Sequence, residues 1–195
     1  MRELDQPTGT RASVRAETSA DCAVCGFGLW IPILRMTTSE IGLYSDTRFP
    51  GRCIVTLRDH FDHLSDVPAL ELMTFMEEIQ FSVDAIKNAT TCSRVNVAIL
   101  GNAESHVHAH LIPRFPEEES LPNKAPWEDP RPKKPLSQSD EDLLVEKIRA
   151  GLEPALTSSQ VRTTRLIGRR KPHLPKPLNT DMPLFGLLSD SEILS

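Results

Sequence analysis

The sequence contains no apolar run long enough to cross a bilayer, and neither sign of charge is in strong excess. The formal net charge of −5 gives no electrostatic argument for binding to nucleic acid or to a membrane surface. Residues 1–20 are polar and contain no apolar segment typical of a signal peptide, so we expect a flexible leader there. These absences make a cytoplasmic location the default expectation.

Cysteine is also scarce, with four residues in the whole chain. Cys22 and Cys25 are separated by two residues, which favours metal binding or redox chemistry over a disulfide framework. This spacing lets both thiolates bind one tetrahedral zinc ion. A redox pair is less favoured, because Gly26 and Gly28 follow where a redox motif needs a helix. Two thiols with no special role are the third possibility.

Histidine, by contrast, is concentrated in one short segment, residues 105–114. His106, His108 and His110 alternate there with apolar residues, which are Val107, Ala109 and Leu111. Strict alternation predicts a half-buried β-strand with the histidines on one face and the apolar side chains on the core face. Such a row offers a neutral nitrogen nucleophile, hydrogen-bond donors and metal ligands in one place. The alternative is three surface histidines on an edge strand.

Hydrophobic periodicity predicts both strands and helices. The strands are expected at residues 30–34, 40–44, 53–57, 95–100 and 105–113. The last two should form an antiparallel hairpin around a tight connection. Asp66 is predicted to cap a helix with Pro68 in its first turn, and apolar residues at three- and four-residue steps give that helix one apolar face. A second helix is expected from Ser139 to near Pro154.

Prolines cluster after Ile112 and predict an extended or partly disordered C-terminal third. We therefore expect a core domain at residues 21–115 and a C-terminal extension with a helix at residues 116–156. Residues 157–195 are expected to form a flexible basic and proline-rich tail.

Residues 106–112 resemble the signature of the histidine triad (HIT) superfamily of nucleotide hydrolases and transferases, which is His-x-His-x-His followed by two apolar residues. The Pro113-Arg114 pair that follows is similar to common members. The resemblance extends over about residues 22–115. It implies an α+β fold, in which an antiparallel sheet of about five strands packs against the long helix at residues 66–90. It also implies a small-molecule nucleotide substrate and a homodimer.

The resemblance implies roles for individual residues. His108 would be the nucleophile that attacks the α-phosphate, and His110 would donate a hydrogen bond to the phosphate or to the leaving oxygen. Asp46 would bind the ribose hydroxyls, and Asn102 would lie near the phosphate. Where many members have a histidine, this chain has Arg52, which would either supply charge for a phosphate or have only a surface role.

The resemblance to zinc-bearing members implies a metal site as well. Its ligands would be Cys22, Cys25, His60 and His106, and His60 matches the family position better than His63. Four protein ligands leave no open position for water, so the implied zinc is structural.

The resulting hypothesis is a nucleotidyl hydrolase that forms a covalent nucleotidyl-histidine. Its substrate would be a dinucleoside polyphosphate, a nucleotide conjugate or a nucleoside phosphoramidate. The alternatives are a nucleotidyltransferase or phosphorylase of the same superfamily, and a zinc-stabilised nucleotide-binding module with little turnover. His110 favours hydrolysis, because transferase relatives often carry glutamine at that position.

Overall fold

The computed structural model of the chain describes residues 16–158 and 164–167. The strands are β1 (Ala16–Thr18), β2 (Ile31–Arg35), β3 (Ser39–Leu43), β4 (Cys53–Leu57), β5 (Arg94–Ile99), β6 (His108–Arg114) and β7 (Thr164–Ile167). The helices are α1 (Ala69–Thr90) and α2 (Gln138–Ser158). Most of the expected leader and tail, at residues 1–15, 159–163 and 168–195, lies outside the described residues.

Five antiparallel strands form the centre of one sheet, in the order β2-β3-β4-β6-β5. This arrangement confirms the expected α+β fold class. Two strands extend the sheet beyond β2: β7 pairs antiparallel with β2, and β1 pairs parallel with β7. The bounds of β4 agree with those predicted, because its β-branched residues Ile54, Val55 and Thr56 suit a pleated strand.

The two faces of β6 differ, as the alternation predicts. Val107, Ala109 and Leu111 are buried in a core that also contains Phe75 and Ile79 of α1. The helix therefore covers one face of the sheet, and the side chains of His108 and His110 point to the opposite face. The β5–β6 hairpin is confirmed by its antiparallel register.

The histidine strand begins later than predicted, at His108, and the hairpin connection is correspondingly longer than expected. The reason is that β4 ends at Leu57, so the preceding residues have no continuous partner strand. They are fixed instead by two backbone hydrogen bonds of Val107. Its N–H donates to Phe61 O at 3.0 Å, and its carbonyl accepts from Leu57 N–H at 3.1 Å.

The first helix also begins later than predicted. Asp66 ends a short 3₁₀ helix, Leu64–Asp66, and Pro68 takes the N-cap position of α1. Asp66 does not cap the helix, because it lies two residues before the N-cap, and its carboxylate accepts from Ser65 Oγ at 3.3 Å. The second helix packs on α1 through Val145 and its neighbours, and it continues through Pro154 to Ser158.

No helix in the described residues is both long and apolar enough to span a membrane.

Candidate functional site

The middle histidine of the row has a fixed tautomer. His108 is 5% exposed, and its Nδ1 lies 2.6 Å from the backbone oxygen of His106. A carbonyl can only accept, so Nδ1 carries the proton and Nε2 carries the free lone pair. Burial lowers the pKa of His108, which keeps the ring neutral near pH 7. Phe27 stacks on the ring with centroids 4.9 Å apart. The arrangement presents one neutral, oriented nitrogen nucleophile.

The third histidine stands beside the second. The rings of His108 and His110 meet edge to face, with centroids 4.9 Å apart. Burial, together with the positive charges of His108 when it is protonated and of Arg52, lowers the pKa of His110 to about 4. Its Nδ1 is buried and has no hydrogen-bond partner among the described residues. A neutral imidazole keeps one N–H, so His110 can donate to an oxygen of a bound ligand.

The first histidine belongs to a different constellation. Ligand atoms of Cys22, Cys25, His60 and His106 all lie within 4.8 Å of one another. The distance from Cys22 Sγ to His60 Nδ1 is 3.6 Å, and that from Cys25 Sγ to His106 Nδ1 is 3.4 Å. Two ligands on a tetrahedral ion lie about 3.3–3.8 Å apart when the bonds are about 2.1–2.3 Å long. The four predicted ligands therefore fit a metal ion, and the exposed His63 is not among them.

Hydrogen bonds fix the orientation of both histidines in this cluster. His106 Nε2 donates to Leu57 O at 2.9 Å, and His60 Nε2 donates to Asp62 Oδ1 at 3.1 Å. Each bond leaves the lone pair on Nδ1, the atom that faces the thiols. Outer partners of this kind set the tautomer of metal-binding histidines.

A tight turn brings the two cysteines together. Gly26 N–H donates to Cys22 O, and Cys22 N–H donates to Phe27 O, both at 2.8 Å. Gly26 has a φ of 76°, a conformation that glycine adopts at no steric cost. Partial burial raises the pKa of Cys22, but N–H groups of Cys25 and Val24 outweigh it and lower the pKa to about 6. Cys22 is therefore largely a thiolate at neutral pH, the form that binds metals.

The predicted ribose ligand is not open to a ligand. Asp46 lies in the loop of residues 44–52, here called the Asp46 loop, and is 0% exposed. One carboxylate oxygen accepts from Arg48 N and Nε, and the other accepts from Arg48 Nη2 at 2.9 Å and Arg52 Nη1 at 3.3 Å. Burial raises the pKa of Asp46, but the hydrogen bonds and charge of Arg48 outweigh burial and hold the pKa below its usual value. Asn102, predicted to lie near the phosphate, is exposed in the β5–β6 connection.

Two contributors to the site carried no predicted role in the sequence. Phe27 stacks on both His106 and His108, with centroids 5.1 and 4.9 Å away. Lys133 approaches the ring of Tyr44 from a segment far along the chain. Nothing in the local sequence marks either residue, because both contacts join distant segments. Arg52, in contrast, was detectable as an arginine in a position where many HIT members have histidine.

The sheet thus carries two adjacent histidines, His108 and His110, beside a Cys₂His₂ cluster. Residues 33–117, which include this part of the sheet, match the family model described as HIT domain. A further segment that includes α2 follows the matched residues.

Solved structures share this fold. A histidine triad protein from Bradyrhizobium japonicum is 21% identical, with a TM-score of 0.58 over 63% of this chain and 90% of that one. One from Sinorhizobium meliloti is 22% identical, with a TM-score of 0.55 over the same shares. A hypothetical histidine triad nucleotide-binding protein from Sulfolobus tokodaii is 17% identical, with a TM-score of 0.52 over 64% of this chain and 85% of that one. The search of curated protein sequences found no match.

Proposed function

We propose that this protein is a nucleotidyl hydrolase that cleaves its substrate at the α-phosphate. The observation that carries the proposal is the bond from His108 Nδ1 to His106 O at 2.6 Å, which leaves Nε2 as the nucleophile. A neutral imidazole has a free lone pair, so it does not have to lose a proton before it attacks the phosphorus of an anionic substrate. The attack forms a covalent intermediate that water can then cleave.

The reaction proceeds in two displacements at phosphorus. In the first, a bond forms between His108 Nε2 and the α-phosphorus, and the bond from that phosphorus to the leaving group breaks. In the second, water attacks the nucleotidyl-histidine and releases a nucleoside monophosphate and the free imidazole. His110 donates a hydrogen bond to the leaving oxygen or to a phosphoryl oxygen, where negative charge develops. Its position beside the His108 ring supports this role.

The substrate class follows from the same residues. We propose a nucleotide with a second group attached at its α-phosphate, such as a dinucleoside polyphosphate or a nucleoside phosphoramidate. The HIT domain and the nucleotide-binding description of the Sulfolobus protein support a nucleotide ligand. Asn102, on the connection that leads into the histidine strand, remains our candidate for a further phosphate contact.

We propose that the Cys₂His₂ cluster binds structural zinc. Two thiols and two imidazoles are the donor set that zinc prefers, and four protein ligands leave no position for a reacting water. The ion would link the N-terminal segment at Cys22 and Cys25 to the residue that precedes the nucleophilic strand. His106 would then serve both sites, through its ring to the metal and through its carbonyl to His108.

The test is incubation of the purified protein with diadenosine tetraphosphate, followed by separation of the products. We expect wild-type protein to release AMP, and acid-labile label from a radioactive substrate to appear on the protein. His108→Ala should lower the rate at least about a thousandfold, because it removes the nucleophile. His63→Ala is the matched control, since this histidine is exposed and outside both clusters.

Three results would separate the alternatives. Binding of the nucleotide without release by wild type would favour the binding module. Release that requires added phosphate or a sugar phosphate would favour a phosphorylase or transferase. Equal release by wild type and His108→Ala would exclude His108 as the nucleophile.

A further inference from the structure

The chain beyond the HIT domain returns to the Asp46 loop. Thr47 N–H donates to Lys134 O at 2.8 Å, and Leu136 N–H donates to Ser45 Oγ at 2.7 Å. Residues 129–136 therefore run along the loop as a second layer. These residues lie outside the range of the family match, so their contribution belongs to this chain and not to the shared domain.

The two layers bring cationic side chains together around Tyr44 and Phe49. We call them the cationic cluster: Arg48, Arg52, Arg131 and Lys133. Arg48 and Arg131 both lie near the Phe49 ring, at 5.6 and 5.7 Å from its centroid. The Arg52 guanidinium lies 4.2 Å and Lys133 Nζ lies 4.3 Å from the centroid of Tyr44.

Two of the four cations are neutralised by strong ion pairs. Arg48 binds Asp46 with Nη2 to Oδ2 at 2.9 Å, and Arg131 binds Asp129 with Nη2 to Oδ2 at 2.7 Å. Both carboxylates are buried, and each accepts several hydrogen bonds from its arginine. The remaining pair of cations thus has no carboxylate of its own, in a chain whose net charge is negative.

The guanidinium of Arg52 is only partly paired with other groups of the protein. Its one ion pair, to Asp46, is long at 3.3 Å, and that carboxylate is already bound by Arg48. Its Nε is buried and has no hydrogen-bond partner among the described residues. Lys133 is exposed, and its Nζ donates to Tyr44 Oη. The Arg52 side chain is 16% exposed, so part of it is open to a bound anion, as is the exposed Lys133 ammonium.

The side chain of Arg52 lies on the same face of the sheet as His108 and His110. Tyr44 N–H donates to Arg52 O at 2.8 Å, so strand pairing with β3 continues one residue before β4. Arg52 therefore shares a face with Ile54, which is paired with His110. Diagonal neighbours on one face of a sheet lie about 7–8 Å apart, within reach of a long side chain. The buried Nδ1 of His110 also has no partner in the described part of the chain, so two polar groups at this place are left unpaired by the protein.

We propose that Arg52 and Lys133 form an anion-binding subsite beside His110, which takes the phosphate chain of the substrate beyond the phosphorus that His108 attacks. The assignment of this subsite to the phosphate chain of a substrate rests on the proposed function. The expected substrate is therefore a nucleotide with additional phosphates in its leaving group.

Direct binding tests the subsite without any turnover. Inorganic pyrophosphate is titrated into the full-length protein by calorimetry at low salt. Lys133→Ala should weaken binding about threefold, as suits an exposed charge. Arg52→Gln should weaken it about tenfold, because guanidinium–phosphate bonds are charge-assisted. Thermal melting of Arg52→Gln shows whether that variant is folded. If it is not, the binding of pyrophosphate by Lys133→Ala alone tests the subsite, because Lys133 is exposed and its replacement should leave the fold intact.

Lys134→Ala is the matched control, because Lys134 is the next residue, is equally exposed and carries the same charge. It should bind pyrophosphate as wild type does, although raised salt should weaken binding in both. The subsite is excluded if wild type fails to bind pyrophosphate at millimolar concentration. It is also excluded if Lys134→Ala loses as much affinity as Lys133→Ala.

Kinetics distinguish a subsite for substrate from one for a free anion. Lys133→Ala should raise KM for diadenosine tetraphosphate more than KM for adenosine 5′-phosphoramidate, whose leaving group is an amine. An equal rise for both substrates would contradict a role in holding the phosphate chain. If wild type cleaves neither substrate, the proposed hydrolase function fails, and pyrophosphate binding alone decides whether the subsite exists.

Discussion

The Nδ1 atoms of His60 and His106 face each other at 3.3 Å, although 46 residues separate the two histidines in sequence. Each ring donates its Nε2 proton to a fixed acceptor, so two lone pairs point at the same place. Two lone pairs at this distance repel unless a cation lies between them. This relationship is the strongest structural support for the metal site.

Zinc removal should therefore destabilise the protein. We expect purified protein to contain one zinc per chain, and Cys22→Ser to lower both the zinc content and the melting temperature. For a chain of this size each kcal/mol lost lowers the melting temperature by about 2–4 °C. Elemental analysis and calorimetry give the two values, with His63→Ala as the control that should change neither. Metal-free protein whose melting temperature is insensitive to Cys22→Ser would exclude the site.

Acid should weaken the fold through His110. Its pKa is about 4 in the folded protein and near its usual value of 6.5 when the chain is unfolded. Between these values the unfolded chain binds a proton that the folded protein does not, so this contribution to stability is complete above pH 6.5 and is lost as the pH falls toward 4. Urea unfolding of wild type and His110→Gln at pH 7 and pH 5 measures it.

The variant cannot be protonated at this position, so its loss of stability between the two pH values should be smaller than that of wild type. Comparing the two proteins removes the common effect of acid on the thiols and on the other histidines. Identical losses would mean that His110 titrates normally in the folded protein.

Gly51 should be irreplaceable at the end of the Asp46 loop. Its φ is 88°, and a Cβ at this position would lie 2.4 Å from Thr90 Cγ2 in the last turn of α1. Gly51→Ala should destabilise the protein by about 1–3 kcal/mol, from backbone strain and the contact together. Gly101→Ala is the control, because a Cβ there meets nothing within 4 Å and should change stability by less than about 0.5 kcal/mol. Chemical denaturation of both variants checks the difference.

The exposed face of α1 should mediate the homodimer that the family resemblance implies. Leu70 is 77% exposed and Met73 is 69% exposed, one turn apart on this helix. Adjacent apolar side chains on one exposed helix face are suited to burial against a second copy of the chain. Sedimentation should give a dimer for wild type and a monomer for Leu70→Glu. Leu143→Glu on α2, at a residue 53% exposed, should remain a dimer. A wild-type monomer at micromolar concentration would contradict this prediction.

The sequence by itself determined the parts of the protein that depend on local pattern. The bounds of β4 followed from its β-branched residues, and the two faces of the histidine row followed from alternation, because successive side chains of a strand point to opposite sides. The start of α1 did not follow, since Asp66 was an acceptable cap by residue type but lies in a short 3₁₀ helix that ends before α1 begins. The proximity of Cys25 and His106 could be predicted only from the family resemblance, because no local pattern connects residues 81 positions apart.

The tertiary structure alone decided what surrounds the histidine row. The family resemblance implied that Asp46 binds ribose, which stays a prediction, whereas the packing of Arg48 and Arg52 on its oxygens followed from the fold alone. The fold also placed Lys133 against Tyr44 across 89 residues. Such contacts depend on how distant segments pack, because a charged side chain pairs with the groups that the fold places near it. The row of histidines on one face of a strand could thus be predicted from spacing, whereas the cationic cluster beside it depended on the fold.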